Sequence, residues 1–328
     1  MKTVYLHIGA NKAGTTSIQR FLNRNSDWLK EKGVLYPSIG IYDNAHYELS
    51  SFFRFGPNLP YPSEFSLKKL KKQIDNSSED KIILSSEFFM LNSHGDLLGL
   101  KDLLSGYAVK VVLYLRRHDL WFESLYNQAV KKTRNPPWKK GTQSYLNFHL
   151  NRPNVRFDYL NIIDRWGGVF GKEAIVVRPF EKQQFFQNDL VSDFLNTIGV
   201  SFDNRPSSSE DRSNASLSVR ILDFVDSLNR VEGIEEHDKA IAIRAVADIT
   251  KNDKKRFAIS PEQRRELIKQ FESNYEKIAR EHLGRSDGRL FYERLPELDE
   301  EWREPEKVTL PQALGLFARL ARKAPIPK

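Results

Sequence analysis

The 328-residue chain contains no cysteine. That excludes disulfides, thiolate metal sites and thiol nucleophiles. Long apolar runs are also missing, so no stretch has the length of a membrane span. No internal repeat recurs, and no signal-peptide pattern precedes the first strand-like run. Asn76-Ser77-Ser78 and Asn214-Ala215-Ser216 fit the glycosylation pattern, but without a secretion signal they read as ordinary polar loop sequence. The expectation is a cytoplasmic protein. Hydrophobic residues make up 40% and charged residues 29%, which suits a soluble chain with one large α/β core or two smaller ones. Lys and Arg number 51 against 43 Asp and Glu, a net charge of +8. That balance favours an anionic ligand, an acidic substrate or a membrane surface.

Short β-type runs alternate with helical patterns over the first two-thirds. The strands are "TVYLHIG", "KIILSS", "VKVVLYL" and "AIVVRPF", with a weaker one at "GVLYP". Helices are predicted at 15–32, 96–104, 119–133, 158–170 and 188–199, the last capped by Asn188 or Asp189 and stopped by Gly199. This alternation implies an α/β fold with a mainly parallel central sheet and helices on both faces. After the serine-rich "RPSSSEDRSNAS" the pattern becomes helical. Two or three helices are predicted over 216–283, the last opening at Ser260-Pro261-Glu262. The tail "TLPQALGLFARLARK" puts Leu314, Phe317 and Leu320 on one helical face, with Arg319, Arg322 and Lys323 nearby. Such a helix docks on its own domain or lies on a membrane.

Chemistry concentrates in "HIGANKAGTTS", residues 7–17, directly behind the first strand. A strand, a Gly-rich turn and a helix start aim several N–H groups at one point, and the helix dipole adds positive charge there. Gly9 and Gly14 permit close approach; Lys12 adds a mobile charge, and Thr15, Thr16 and Ser17 add hydroxyls. A nucleotide-hydrolase loop places its lysine directly after the second glycine, whereas Lys12 precedes Gly14. Nucleotide-driven phosphoryl transfer also needs Mg²⁺, usually held by an acid at another strand end. Here one strand ends "LSSE", with a glutamate, and another "LYLRR", whose basic pair suits a second anion. A sulfuryl group carries less charge than a terminal phosphoryl group, so lysine and N–H donors suffice for it.

At this point the sequence resembles a known superfamily. "HIGANKAGTTS" resembles the 5′-phosphosulfate loop of sulfotransferases that use 3′-phosphoadenosine 5′-phosphosulfate (PAPS). "VVLYLRRHDLWFESLYNQ" resembles their 3′-phosphate motif, an arginine at a strand end followed eight positions later by a helix serine, here Arg116 and Ser124. "SSEFF", "FGKEAIVVRPFEK" and "SDFLNTIGV" resemble the bacterial carbohydrate-type branch. The likeness spans residues 3 to about 200 and, more loosely, to about 290. It implies a P-loop-like three-layer fold with additional C-terminal helices. It further implies a sulfotransferase domain over 1–294, a tail over 295–328, and PAPS as donor with PAP as product. Asn11, Lys12, Ala13, Gly14, Thr15, Thr16 and Ser17 would hold the phosphosulfate, with Ala13 where the family commonly has threonine. Arg212 and Asn214, in "DRSNASLS", would close over the cofactor, although that segment also reads as a plain linker.

Arginine offers a planar donor fork suited to phosphate. The spacing to Ser124 selects Arg116, leaving Arg117 as a solvated or supporting charge. Trp121, Phe122 and Tyr126 read as core. Deprotonating an acceptor hydroxyl calls for a base. Glu87, closing "KIILSSE" where ligands meet open parallel sheets, is the first choice; it occupies a place similar to the base of carbohydrate-type relatives. His46, in "DNAHYELS", is the alternative, and Lys12 completes the catalytic set. The expected acceptor is a carbohydrate or glycolipid hydroxyl, with no metal; membrane contact through the tail is the alternative to its docking on its own domain. The rivals are a metal-dependent P-loop kinase and a basic nucleic-acid-binding protein. The latter lacks a recognisable motif, and its basic residues are scattered.

Overall fold

The computed structural model describes residues 1–55, 65–151, 157–201, 205–206, 217–249, 257–298, 302–303 and 308–321. The chain divides into two compact units. Met1–Arg117, Val155–Glu210 and Phe271–Glu293 make the first; His118–Asn154, Asp211–Gln270 and Arg294–Lys328 make the second.

The first unit is built on five parallel strands: β1 (Thr3–Gly9), β2 (Val34–Leu35), β3 (Lys81–Ser85), β4 (Ala108–Leu115) and β5 (Ile175–Pro179). Their spatial order is β2-β3-β1-β4-β5. β1 is central, pairing Leu6 with Leu84 on one side and with Val111 on the other. Leu6, Ile8, Leu84, Val111 and Leu113 are all fully or almost fully buried. A parallel sheet covered on both faces needs such uninterrupted apolar runs, which is why the strands stand out in the sequence.

Helices α1 (Thr15–Arg24), α2 (Ser26–Glu31), α3 (Tyr47–Phe55), α4 (Leu67–Asp75) and α5 (His94–Leu103) precede β4 in the chain. The stretch 15–32 is thus two helices, broken at Asn25, whose φ of −115° and ψ of 30° are not helical. The connection leaving β1 runs to β2 on one side, while those leaving β3 and β4 run the other way. Right-handed crossovers then put α1 on one face and α5 on the other, and the packing agrees. Two further helices of this unit follow in the chain, α8 (Tyr159–Phe170) flanking β4 and β5, and α9 (Leu190–Thr197). α1 packs on α9, while α3 and α8 both pack on α5. Tyr114 donates its hydroxyl to Asp193 at 2.7 Å, and Arg178 Nε donates to the same carboxylate at 3.0 Å. These bonds lash α9 to β4 and β5. Asp189 caps α9 by accepting from the Ser192 amide at 2.8 Å.

The second unit is helical. Its elements are α6 (His118–Lys132), α7 (Thr142–Leu150), α10 (Val219–Leu228), α11 (Glu236–Ile249), α12 (Pro261–Gln270) and α14 (Leu310–Ala321); α13 (Glu272–Leu283) belongs to the first unit, against α8 and β5. α6 packs on α7, α10 and α12, with Trp121, Phe122 and Tyr126 buried. Two polar struts cross this core. Arg264 pairs with Asp119 at 2.7 Å, both buried, and Glu123 accepts the Ala258 and Ile259 amides at 2.8 and 3.2 Å. Ser260 and Gln263 form the reciprocal cap expected at the start of α12. Phe271 separates α12 from α13, so the described residues of the region 216–283 carry four helices rather than two or three. On α14, Leu310, Leu314 and Phe317 are exposed; the side chains of Arg319 and Leu320, and residues Arg322 and Lys323, lie outside the described set. Among the described residues no helix is long and apolar enough to cross a membrane.

Candidate functional site

β1 ends in Gly9, whose φ of 117° is open to glycine. A Cβ there would lie 3.5 Å from Glu87 Cα, so the end of β1 runs alongside residue 87. The turn is then fixed by its backbone. The Ala10 amide donates to the Tyr114 carbonyl at 2.8 Å, and the Ala13 amide donates to the Ala10 carbonyl at 3.1 Å. Lys12 holds a left-handed φ of 62°, a conformation that costs a residue with a Cβ about 1–2 kcal/mol and gathers at ligand-binding turns. Gly14, at φ 79°, opens α1 and accepts from the Ser17 and Ile18 amides. A Cβ on Gly14 would press into Leu190 and come within 2.7 Å of Phe180, so glycine is required both for conformation and for space.

The first turn of a helix leaves N–H groups without intrahelical partners, and α1 has no acidic residue in its first turn to answer them. An anion suits that end. Asn11 and Lys12 are half-exposed, Thr16 and Ser17 exposed. Thr15 and Ala13 are buried, so Thr15 faces the interior rather than solvent.

Arg116 follows β4 directly. Its Nη1 donates to the Lys12 carbonyl at 2.8 Å, its guanidinium lies 5.5 Å from the Phe180 ring centre, and its own carbonyl accepts from the Tyr159 hydroxyl at 2.7 Å. Arg117 is not a solvated charge. It is 3% exposed and donates to the Glu293 carbonyl at 2.9 Å, which makes it a supporting residue. Ser124 lies half-exposed on α6, in the second unit. Arg212 and Asn214 fall outside the described residues.

Glu87 stands two residues past β3 with both carboxylate oxygens engaged. Tyr47 donates its hydroxyl to Oε1 at 2.7 Å, and Gln19 donates Nε2 to Oε2 at 3.0 Å. The same Gln19 amide reaches Ser85 Oγ at 3.2 Å, and Ser85 Oγ meets His7 Nδ1 at 2.8 Å. Burial, aided by the Glu87 charge, pushes the Tyr47 phenol up, so this donor keeps its proton. The sequence reading missed Tyr47 and Gln19. Their signals were a tyrosine adjoining the candidate His46 and a glutamine on the inner, apolar face of α1.

His46 is fully buried with both ring nitrogens occupied. Nε2 donates to the Pro37 carbonyl at 3.0 Å, while Nδ1 accepts the Ser85 amide at 3.2 Å. This arrangement is satisfied by neutral imidazole, and burial lowers the ring's pKa to about 4. The ring braces the turn before α3 against β3.

Lys12, Arg116 and Glu87 therefore gather at the C-terminal edge of three neighbouring strands. There the connections leave the sheet in opposite directions, and crevices at such reversals hold ligands in open α/β sheets.

No family model matches the chain. It is similar to a curated protein of Archaeoglobus fulgidus, named only as an uncharacterized protein, with 27% identity over 209 residues. The match covers 62% of this chain and 54% of that protein, so the chain spans about half the length of this curated relative. Among solved structures it is similar to a sulfotransferase from Alicyclobacillus acidocaldarius. The TM-score is 0.42 with 18% identity, over 64% of this chain and 86% of that one.

Proposed function

We propose that the chain is a sulfotransferase that moves the sulfuryl group of PAPS to a hydroxyl of a carbohydrate or glycolipid acceptor. One observation carries the reading. Lys12 of the Gly-rich loop, Arg116 of the second motif and Glu87 at a strand end lie together at the C-terminal edge of β1, β4 and β3.

The residues fit the chemistry of the donor. The left-handed turn at Lys12, the glycine at 14 and the start of α1 suit a 5′-phosphosulfate, and the Arg116 fork suits a 3′-phosphate. Ser124, Arg212 and Asn214 enter on the resemblance alone. When bound, PAPS supplies an activated sulfuryl group. Glu87 then takes the proton of the acceptor hydroxyl as the new O–S bond forms. The bond from sulfur to the 5′-phosphate oxygen breaks, its electron pair stays on that oxygen, and Lys12 neutralises the charge developing there. His46 is a poor base because the nitrogen that would take a proton already accepts a backbone amide. Glu87 keeps a free lone pair on each oxygen beside its two donors.

The test is transfer of radiolabelled sulfate from PAPS, with EDTA present, set beside transfer of radiolabelled phosphate from ATP with Mg²⁺. Sulfated product and retention on PAP–agarose at salt that elutes the protein from heparin are expected. Phosphate transfer that requires Mg²⁺, or retention on heparin alone, overturns the reading.

A further inference from the structure

Phe88 follows Glu87 directly and is 45% exposed, while the next residue, Phe89, is fully buried. Single exposed aromatics are ordinary; the surroundings of this one are not. Its ring lies 4.8 Å from that of Tyr47 at an interplanar angle of 41°, and the Tyr47 hydroxyl is bonded to Glu87. Both residues sit on fixed backbone. The Phe88 amide donates to Ser86 Oγ at 3.2 Å and the Phe89 amide to the Ser86 carbonyl at 3.2 Å. Tyr47 opens α3 directly behind His46, whose amide donates to the Ser85 carbonyl at 2.7 Å. Two packed aromatic rings thus stand, at low conformational cost, beside the carboxylate assigned as base, with Phe88 the more exposed of them.

Asp43 sharpens the picture. It is exposed, and with Glu87 it contributes negative potential at the Tyr47 phenol. The chain as a whole is basic, at +8, which by itself points to an anionic acceptor. Short-range charge outweighs the distant field near a partly buried group, because exposed charges beyond about 10 Å are screened by salt. A uronate or sulfate on the acceptor would meet Asp43 and Glu87 at close range.

We infer that Tyr47 and Phe88 form an acceptor shelf for the apolar face of a neutral pyranose ring, presenting one ring hydroxyl to Glu87. The inference rests on the sulfotransferase reading above and deepens it. A pyranose has one face of C–H groups and a rim of hydroxyls. The partly positive C–H face suits the negative face of an aromatic ring, and the hydroxyl rim suits a neighbouring carboxylate. A planar phenolic acceptor, by contrast, needs an enclosing apolar slot; a half-exposed, one-sided surface suits a sugar.

The full-length chain is assayed with radiolabelled PAPS on chitohexaose and cellohexaose, which are neutral, and on alginate and chondroitin oligosaccharides, which carry uronates. Wild type, Phe88→Ala, Phe88→Trp and Asp43→Asn are compared, and PAP affinity is measured for each by calorimetry. Neutral oligosaccharides should be preferred. Phe88→Ala should raise their KM about tenfold, the scale of one aromatic contact, with kcat and PAP affinity little changed. Phe88→Trp should restore the KM. Asp43→Asn, which keeps the left-handed turn at φ 47° available, should narrow the preference over uronates. An unchanged KM in Phe88→Ala, preference for uronates, or transfer to no neutral sugar while PAP binds overturns the shelf. Failure of wild type to bind PAP overturns the sulfotransferase reading beneath it instead.

Discussion

Arg116 Nη1 and the carbonyl oxygen of Lys12 are 2.8 Å apart, so the cation that closes β4 also fixes the backbone of the loop that follows β1. In the proposed reading one guanidinium has two uses: it props the loop, and its planar fork grips the 3′-phosphate. Replacement by alanine separates them. Arg116→Ala should weaken PAP binding by about 1.5–3 kcal/mol, the range for hydrogen bonds to charged groups, and weaken AMP binding less. Calorimetric titration of both nucleotides checks this. An equal loss for PAP and AMP would mean that Arg116 only props the loop.

Lys12 should act on the transition state. Charge builds on the leaving 5′-phosphate oxygen only as the bond to sulfur breaks, so the interaction is stronger there than in the ground state. Lys12→Ala should lose turnover by about 10²-fold or more while keeping most PAP affinity. Steady-state kinetics at saturating PAPS, with PAP titration alongside, tests it; near-normal turnover removes Lys12 from the chemistry.

Gly14 should tolerate no side chain. An added methyl group meets Phe180 and Leu190 at a left-handed φ of 79°. The conformational and steric penalties together amount to about 2–4 kcal/mol. Urea denaturation of Gly14→Ala should show that loss, with PAP affinity falling in parallel; a change below about 0.5 kcal/mol would contradict the packing.

β1, β3 and β4 were legible because each carries a run of buried apolar residues, and Lys12, Glu87 and Arg116 were found because they stand just past the ends of those runs. The helices that escaped notice have weak patterns. α4 reads "LKKLKKQID" and buries only Leu70 and Ile74, one pair four residues apart on a lysine-rich surface. α3 reads "YELSSFFRF", and its buried Leu49, Ser50 and Ser51 include two serines, so no apolar stripe shows. The partners of Glu87 were hidden for a different reason. Gln19, Tyr47 and Glu87 are 68 and 40 residues apart, and only the parallel order β3-β1-β4 brings α1 and the start of α3 to the same strand end. Local pattern locates strand ends but not what the fold sets beside them.

Two buried imidazoles should make the protein acid-sensitive. Burial lowers His7 to about 3 and His46 to about 4, from an ordinary 6.5. Between those values the unfolded chain binds protons that the folded chain refuses, so stability rises with pH there. Their contribution is intact above pH 6.5 and is lost as pH falls toward 4, about 3 kcal/mol for each. Urea titrations from pH 7 to pH 4 should show this slope, and His7→Leu should reduce proton uptake on unfolding near pH 5 by about one. A slope indifferent to that substitution would mean that His7 titrates normally.

Glu87 and its two donors support the most exacting test. Glu87→Gln keeps the shape of the side chain but cannot accept a proton, so turnover should fall roughly 10²- to 10⁴-fold with PAP affinity retained. Tyr47→Phe removes the 2.7 Å donor to Oε1 and leaves Gln19 on Oε2. The carboxylate then loses one of the two bonds that position it, so Tyr47→Phe should lower kcat while PAP affinity is retained. His46→Gln should instead lower stability, since it disturbs the bonds to Pro37 and Ser85, and leave the turnover of the folded protein unchanged. Rates at saturating PAPS with the acceptor varied, set beside urea denaturation of each variant, separate the three. If Glu87→Gln keeps its turnover while a stably folded His46→Gln loses it, the base is His46, and the bond from the Ser85 amide to its Nδ1 must open during the reaction.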